Sequence, residues 1–366
     1  MKICAPQLGI SPDSILGGEV FDREILLGLA KRKIKIEIIL PKEKKHDKNI
    51  KNWKIIYLPV AHFPAILANI LYLPYIFFIY NKSSFQILRL HQPQFFVLCA
   101  LIFKIFHPKV KIVATYHQYL ESNFSLLSKF INNVWDLVIC DSQNVKNKLI
   151  KSYDLESSKI TVVHNGVPFY LKPSLKDTKL VKKLKLEGKI VFLFMGLFIP
   201  RKSPLFLLDV LFNLKRLDVV VLFWGKGLLK EKIVEKARRL NLKDQIRIVN
   251  PVYGPEKNKI HNLTDVFVHP ALDEGFALAP LEAMACAKPV IMTKGYSADE
   301  AVSDGRNGYL CEQNDVEDWS KNLKKLTSNR HLREKMGFAS FKKVKKEFQW
   351  RFAVEEYLQV FKKLVK

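Results

Sequence analysis

This chain is short of acid relative to base. It sets 35 Asp and Glu against 60 Lys and Arg, leaving a net charge of +25 and a pI near 9.7. Such an excess works against cationic partners and favours anionic ones: nucleic acid, lipid headgroups or phosphorylated substrates. Cysteine is scarce too. Cys4, Cys99, Cys140, Cys286 and Cys311 are scattered, odd in number and never in C-x-x-C spacing. That excludes a disulfide framework and a zinc site, and points to a reducing compartment. There is no G-x-G-x-x-G, so the dinucleotide-binding fingerprint is absent. The start, MKICAPQLGI, runs straight into a strand-like segment and shows no signal-peptide pattern. Residues 55–81 contain no charged side chain, a run long enough to span a bilayer, but Pro59, Pro64 and Pro74 break it. It reads as a strand followed by a strongly apolar helix, either buried or lying on a membrane surface.

What is present is a chain of 366 residues, 48% hydrophobic, which suits about two globular domains and excludes disorder. Short β-branched runs alternate with helix-length segments. In the first half they are KICAP (2–6), KIEIILP (35–41), WKIIYLP (53–59), FQILRL (85–90), KIVATYH (111–117), LVICDS (137–142) and ITVVHNG (160–166). Near-continuous apolar runs of this kind fit parallel strands covered on both faces, the pattern of a doubly wound α/β domain. The lysine-rich stretch 170–189 reads as a linker, 171–185, with a short charged helix. The alternation then resumes with IVFLFMG (190–196), VVVLFWG (219–225), IRIVN (246–250), VFVHP (266–270), PVIMT (289–293) and YLCE (309–312). The chain thus encodes two similar α/β domains, 1–170 and 186–345, and an amphipathic tail helix, 346–366. Ligands of such folds bind beyond the carboxyl ends of strands, so motifs placed there carry the functional signal.

One such motif is DEGFALAPLEAMACAKPV (273–290), which follows VFVHP. Glu274 falls in the loop leaving that strand. Gly275 allows close backbone approach, and Phe276, Ala277 and Leu278 lead to Pro280, which suits the first turn of a helix and places Glu282 in that turn. Free amides at the helix start form an anion site, and a carboxylate on each side can accept hydrogen bonds from paired sugar hydroxyls. For Glu282 alone, an acid complementing the helix dipole is the simpler explanation.

The E-x7-E arrangement followed by MACAKPVI resembles the retaining glycosyltransferases of family 4, which have the GT-B fold. Further matches come in family order: HNGVP (164–168), with Pro168 where Asp is common; MGLFIPRKSP (195–204); WGKGLLKEKI (224–233); ADEAVSDGRNGYLCE (298–312); and the closing FQWRFAVEEY. The resemblance implies two Rossmann-like domains facing a cleft, with the tail helix returning to the first domain. It implies a nucleotide-diphosphate sugar as donor and a glycan or lipid-linked acceptor in surface polysaccharide or glycoconjugate synthesis. It assigns donor contacts to Gly17, Gly18, Gly196, Arg201, Lys202, Gly225, Glu274 to Leu278 and Glu282, and chemistry to Glu274, His117, Arg201 and Lys202. His91 and Glu300 are weaker candidates. The family arginine that directly follows the glycine is missing, since Leu197 follows Gly196, and Arg201 is expected to take its place. No Asp-x-Asp occurs, in keeping with a site that uses no metal or other cofactor and balances charge with Arg, Lys and helix termini. The apolar stretches and positive charge suit a cytoplasmic enzyme that touches the inner face of an anionic membrane. Two other classes stay open: a nucleotide-sugar-binding or scaffold protein without turnover, and a basic nucleic-acid binder. The second is disfavoured because the aromatics cluster in apolar runs instead of interleaving with Lys and Arg.

Overall fold

A computed structural model of the chain describes residues 1–14, 16–118 and 134–366. The chain divides into two compact units, Met1–Gly166 with Trp350–Lys366, and Val167–Gln349.

The first unit is built on seven strands: β1 (Lys2–Pro6), β2 (Lys35–Pro41), β3 (Trp53–Leu58), β4 (Ile87–His91), β5 (Lys111–Tyr116), β6 (Leu137–Cys140) and β7 (Ile160–Val162). They pair in parallel in the order β3-β2-β1-β4-β5-β6-β7. The apolar runs become strands buried on both faces, as β4 shows by burying all five residues. Chain order runs outward from β1 to β3, then reverses to β4 on the other side of β1. That reversal opens a crevice at the carboxyl ends of β1 and β4.

The second unit repeats the plan with β8 (Ile190–Leu197), β9 (Val219–Lys226), β10 (Ile246–Val249), β11 (Val266–His269), β12 (Val290–Thr293) and β13 (Gly308–Cys311), all parallel in the order β10-β9-β8-β11-β12-β13. Alternation along β8 sends Val191, Leu193 and Met195 to one hydrophobic cluster and Phe192 and Phe194 to another, so the sheet is covered on both sides. Here the reversal lies between β8 and β11.

The stretch 171–185, expected as a linker with a short charged helix, forms that helix and packs on this unit. Leu171 is buried in its core, Leu180, Val181 and Leu184 lean on that core, and Asp177 caps the short helix Thr178–Lys183. Its apolar residues pack against the core, which charge counting does not reveal. The tail helix Trp350–Leu364 belongs to the first unit, where it lies against the helix Gly17–Lys31. Gly28 permits this approach, since a Cβ there would sit 2.2 Å from Val354 Cγ2. The uncharged stretch forms β3, a short turn and the helix Ala68–Ser83, with Pro74 inside it. Among the described residues no helix is long and apolar enough to cross a membrane.

Candidate active site

In the second unit the loops leaving β8 and β11 meet at the strand-order reversal. The first makes a 3-10 turn, Pro200–Lys202, and the second turns at Asp273, which adopts a left-handed φ of 51°. Leu272 N donates to Arg201 O at 2.8 Å and ties the loops together. Arg201 Nη1 donates to Glu274 Oε1 at 2.6 Å and to Asp273 O at 3.2 Å, and Lys202 Nζ lies 2.5 Å from the same Oε1. One carboxylate therefore faces two cations, leaving a net positive charge to meet an anion. The Lys202 and Glu274 side chains are only 15% and 13% exposed. Burial lowers the Lys202 pKa, Glu274 partly restores it, and Arg201 adds to the depression. His269 ends β11, buried. Burial, then Lys202 and Arg201, hold its imidazole well below the ordinary histidine range, so a neutral ring stands beside the cations.

Past Glu274 the chain enters the helix Leu278–Ala285 from Ala277, and no side chain caps it. Its first amides are thus left for a ligand or solvent. Phe276 turns its ring into the core, 5.5 Å from the Phe348 ring, and keeps only its backbone for a ligand. The helix begins two residues before Pro280, so Glu282 is its fifth residue and lies in the second turn, not the first. The helix start is set by the extended Ala277, and Pro280 is accepted because the first turn lacks acceptors for its N–H anyway. Glu282 is buried and holds a charge relay of its own. Lys257 Nζ bonds to Oε1, and His261 Nε2 lies 3.4 Å from Oε2. Burial alone would raise the Glu282 pKa, but Lys257 and His261 outweigh it and hold the carboxyl below its ordinary value. Lys257 also sits 5.8 Å from the Trp224 ring centroid.

Gly196 and Gly225 are register partners at the ends of β8 and β9. A Cβ on Gly225 would fall 1.9 Å from Gly196 O, so the strands can close only without one.

Gly17, Gly18 and His117 belong to the first unit and sit at its own reversal point. Gly17 opens the helix after β1, and a Cβ on Gly18 would lie 3.2 Å from His117 Cδ2 and 3.3 Å from His91 Cε1. Asp22, one turn on, joins the two imidazoles to a buried arginine. Arg89 Nη2 donates to Asp22 Oδ1 at 2.5 Å, His91 Nδ1 lies 3.1 Å from Oδ2, and His117 Nε2 lies 3.8 Å from Oδ1. His117 Nδ1 also pairs with Asp141 Oδ2 at 3.4 Å. Burial depresses His91. For His117 the carboxylates of Asp141 and Asp22 overcome burial and raise the pKa. Asp22, His91 and His117 bring ligand atoms within 4.8 Å of one another. The set fits a divalent cation poorly, because the Arg89 guanidinium already neutralises Asp22 and would repel the ion.

Sequence reasoning passes over Lys257, His261, His269, Asp22, Arg89 and Asp141. Two signals could have found some of them: Lys257 and His261, like Gly18 and Asp22, stand four apart on one helix face. Glu300 lies on the short helix Ala298–Ala301.

Comparison with known proteins gives two family profiles. Glycosyl transferases group 1 matches residues 176–343, and Glycosyltransferase Family 4 matches residues 15–169. An uncharacterized glycosyltransferase of Methanocaldococcus jannaschii is 30% identical over 237 residues, 64% of this chain and 62% of that protein. The capsular polysaccharide biosynthesis glycosyltransferase CapM of Staphylococcus aureus is 27% identical over 63% of this chain and 62% of its own length. The chain thus spans under two thirds of each of these two relatives. Among solved structures, Anabaena HepE in complex with UDP superimposes with a TM-score of 0.83 at 18% identity, covering 99% of this chain and all of that one.

Proposed function

Because the chain belongs to the group 1, family 4 glycosyltransferases and has their GT-B fold, we propose that it moves a sugar from a nucleotide-diphosphate sugar to a glycan or lipid-linked acceptor, with retention of configuration and without a metal ion. The convergence of Arg201, Lys202 and Glu274 at the β8–β11 reversal carries this reading. The bond from the anomeric carbon to the diphosphate oxygen breaks, and one to the acceptor oxygen forms on the same face. The acceptor proton passes to the leaving phosphate. Charge building on that phosphate is stabilised by Arg201, Lys202 and the uncapped amides at Leu278, preorganised in a part-buried site. Glu274 holds the cations in place and accepts from sugar hydroxyls. Glu282, kept ionised by Lys257, takes the ribose. In the first unit, Gly17 and Gly18 offer open backbone, and His117, held by two carboxylates, meets the acceptor. The acceptor belongs to surface polysaccharide or glycoconjugate synthesis at the inner face of the cell membrane. The CapM likeness and the UDP complex of HepE support acceptor class and donor class respectively.

The test is thermal-shift binding with UDP, GDP, ADP and CMP and their sugars, on the wild type and on Glu282→Ala and Lys202→Ala. A ligand at 100 times its Kd stabilises by about 2.7 kcal/mol. A shift with one nucleotide, lost in both variants, is expected. A shift that persists in both would remove these residues from the donor site. A shift without transfer or donor hydrolysis would favour the non-catalytic binder.

A further inference from the structure

The helices Ala68–Ser83 and Val97–Phe106 present an apolar outer surface to solvent. They lie side by side and parallel: Cys99 N, near the start of the second, donates to Asn69 Oδ1 of the first at 3.0 Å, and near their far ends the Phe77 and Phe103 rings stand 5.2 Å apart. Their inner faces join one hydrophobic cluster with β4 and β5, so their outer faces look away from the same side of the sheet. Those outer faces carry Ile70 (70% exposed), Phe78 (59%), Ile105 (68%) and Phe106 (67%), with Leu98 and Ile102 between. A helix normally turns a polar face to water. Here the outer stripe of the first helix stays apolar until Asn81 and Lys82 at its end, and a contiguous patch of this kind marks an interaction surface.

Charge selects the occupant. Residues 48–120, which include both helices, contain no Asp or Glu at all, against eight Lys and Arg. Lys82 and Lys109 stand exposed where the two helices end, while Lys104 is bound to Asp136 and Val110 O. Glu37 and Asp136 reach the two helices only as partners of Ser83 and Lys104; an apolar band edged by lysines, with no acid of its own, is complementary to acyl chains beneath anionic headgroups. We infer that this two-helix face docks on anionic membrane, Phe78, Ile105 and Phe106 entering the headgroup boundary and Lys82 and Lys109 contacting phosphate. This deepens the membrane-side reading above and rests on it for its biological sense, but its residues are separate from those of the transfer site.

The experiment is co-sedimentation of the full chain with phosphatidylcholine vesicles, with or without phosphatidylglycerol, at low and high salt and with no sugar donor present. Wild type is expected to pellet with the anionic vesicles at low salt. Phe78→Ser with Ile105→Ser and Phe106→Ser should bind at least about ten-fold more weakly, and Lys82→Glu with Lys109→Glu should lose the preference for anionic lipid. All five positions are exposed, and unchanged melting temperatures and nucleotide shifts certify the fold. Wild type left in the supernatant, or apolar variants that bind as well as wild type, overturns the inference. So does concentration-dependent self-association abolished by the serine variant without any vesicle binding, which would make the face a contact between copies. Failure here leaves the transfer reading intact, and failure of the nucleotide shift leaves the docking result intact.

Discussion

Replacing Lys257 by Met tests the buried relay that supports Glu282. The Lys257 side chain is 20% exposed and Glu282 6%, so the methionine leaves a carboxylate in the interior with only His261 3.4 Å away. Breaking a buried pair on one side costs about 3–5 kcal/mol, and the partial exposure of Lys257 puts this case near ~3. For a unit of this size each kcal/mol moves the melting temperature by about 2–4 °C, so a fall of roughly 6–12 °C is expected at neutral pH. The effect has a pH signature. In the wild type the folded pKa of Glu282 lies below its unfolded value, so the pairing stabilises above the unfolded carboxylate pKa of about 4.3 and fades as pH falls through the folded value. Without Lys257 burial dominates and raises the pKa. The carboxylate then destabilises at neutral pH until acid protonates it. The gap between variant and wild type should therefore shrink as pH is lowered toward the carboxylate range. Scanning calorimetry at several pH values reads it. Adding Glu282→Gln should recover most of the loss, since both charges are then gone. A melting temperature within about 2 °C of wild type, or a gap that does not narrow in acid, would refute the relay.

Two further outcomes follow from the geometry. Gly225→Ala drives a Cβ against Gly196 O and should cost about 3 kcal/mol or more, whereas Gly196→Ala meets open space and carries only the strain of its φ of 152°, about 1–2 kcal/mol, so melting curves should rank Gly225→Ala as the worse. Asp141→Asn should lower the His117 pKa seen by NMR titration; because a raised histidine pKa stabilises below its unfolded value and that gain is lost as pH rises through the folded one, the variant should fall further behind wild type near about pH 6 than near about pH 8.

The parallel strands were legible because burial on both faces leaves runs such as IVFLFMG with almost no polar interruption. Each strand run named from the sequence overlaps an observed strand, with ends shifted by up to four residues. The Arg201–Lys202–Glu274 group was reachable because its members sit just beyond strands. The partners of Glu282 and His117 were harder. LRLH looks like any apolar strand, yet Arg89 within it is fully buried and meaningful only beside Asp22, which comes 67 residues earlier. A charge in the interior is tolerated by a partner that tertiary packing supplies, and local pattern carries no trace of it. Phe276 shows the same limit from the other side: its place in the motif suggests a ligand contact, and packing against Phe348 leaves only its backbone for one.

The tail helix has a consequence for the order of synthesis. Trp350 and Tyr357 pack on the face of Gly17–Lys31, Phe21 lying 5.8 Å from Trp350 and 6.0 Å from Tyr357, yet all of the second unit is translated before they emerge. At about 5–20 residues per second, the nascent first unit waits on the order of tens of seconds with that seam open, while the second unit, made of one unbroken segment, has all its residues to hand. On the ribosome the later-coded half can finish first, and the exposed seam is where a chaperone would find this chain.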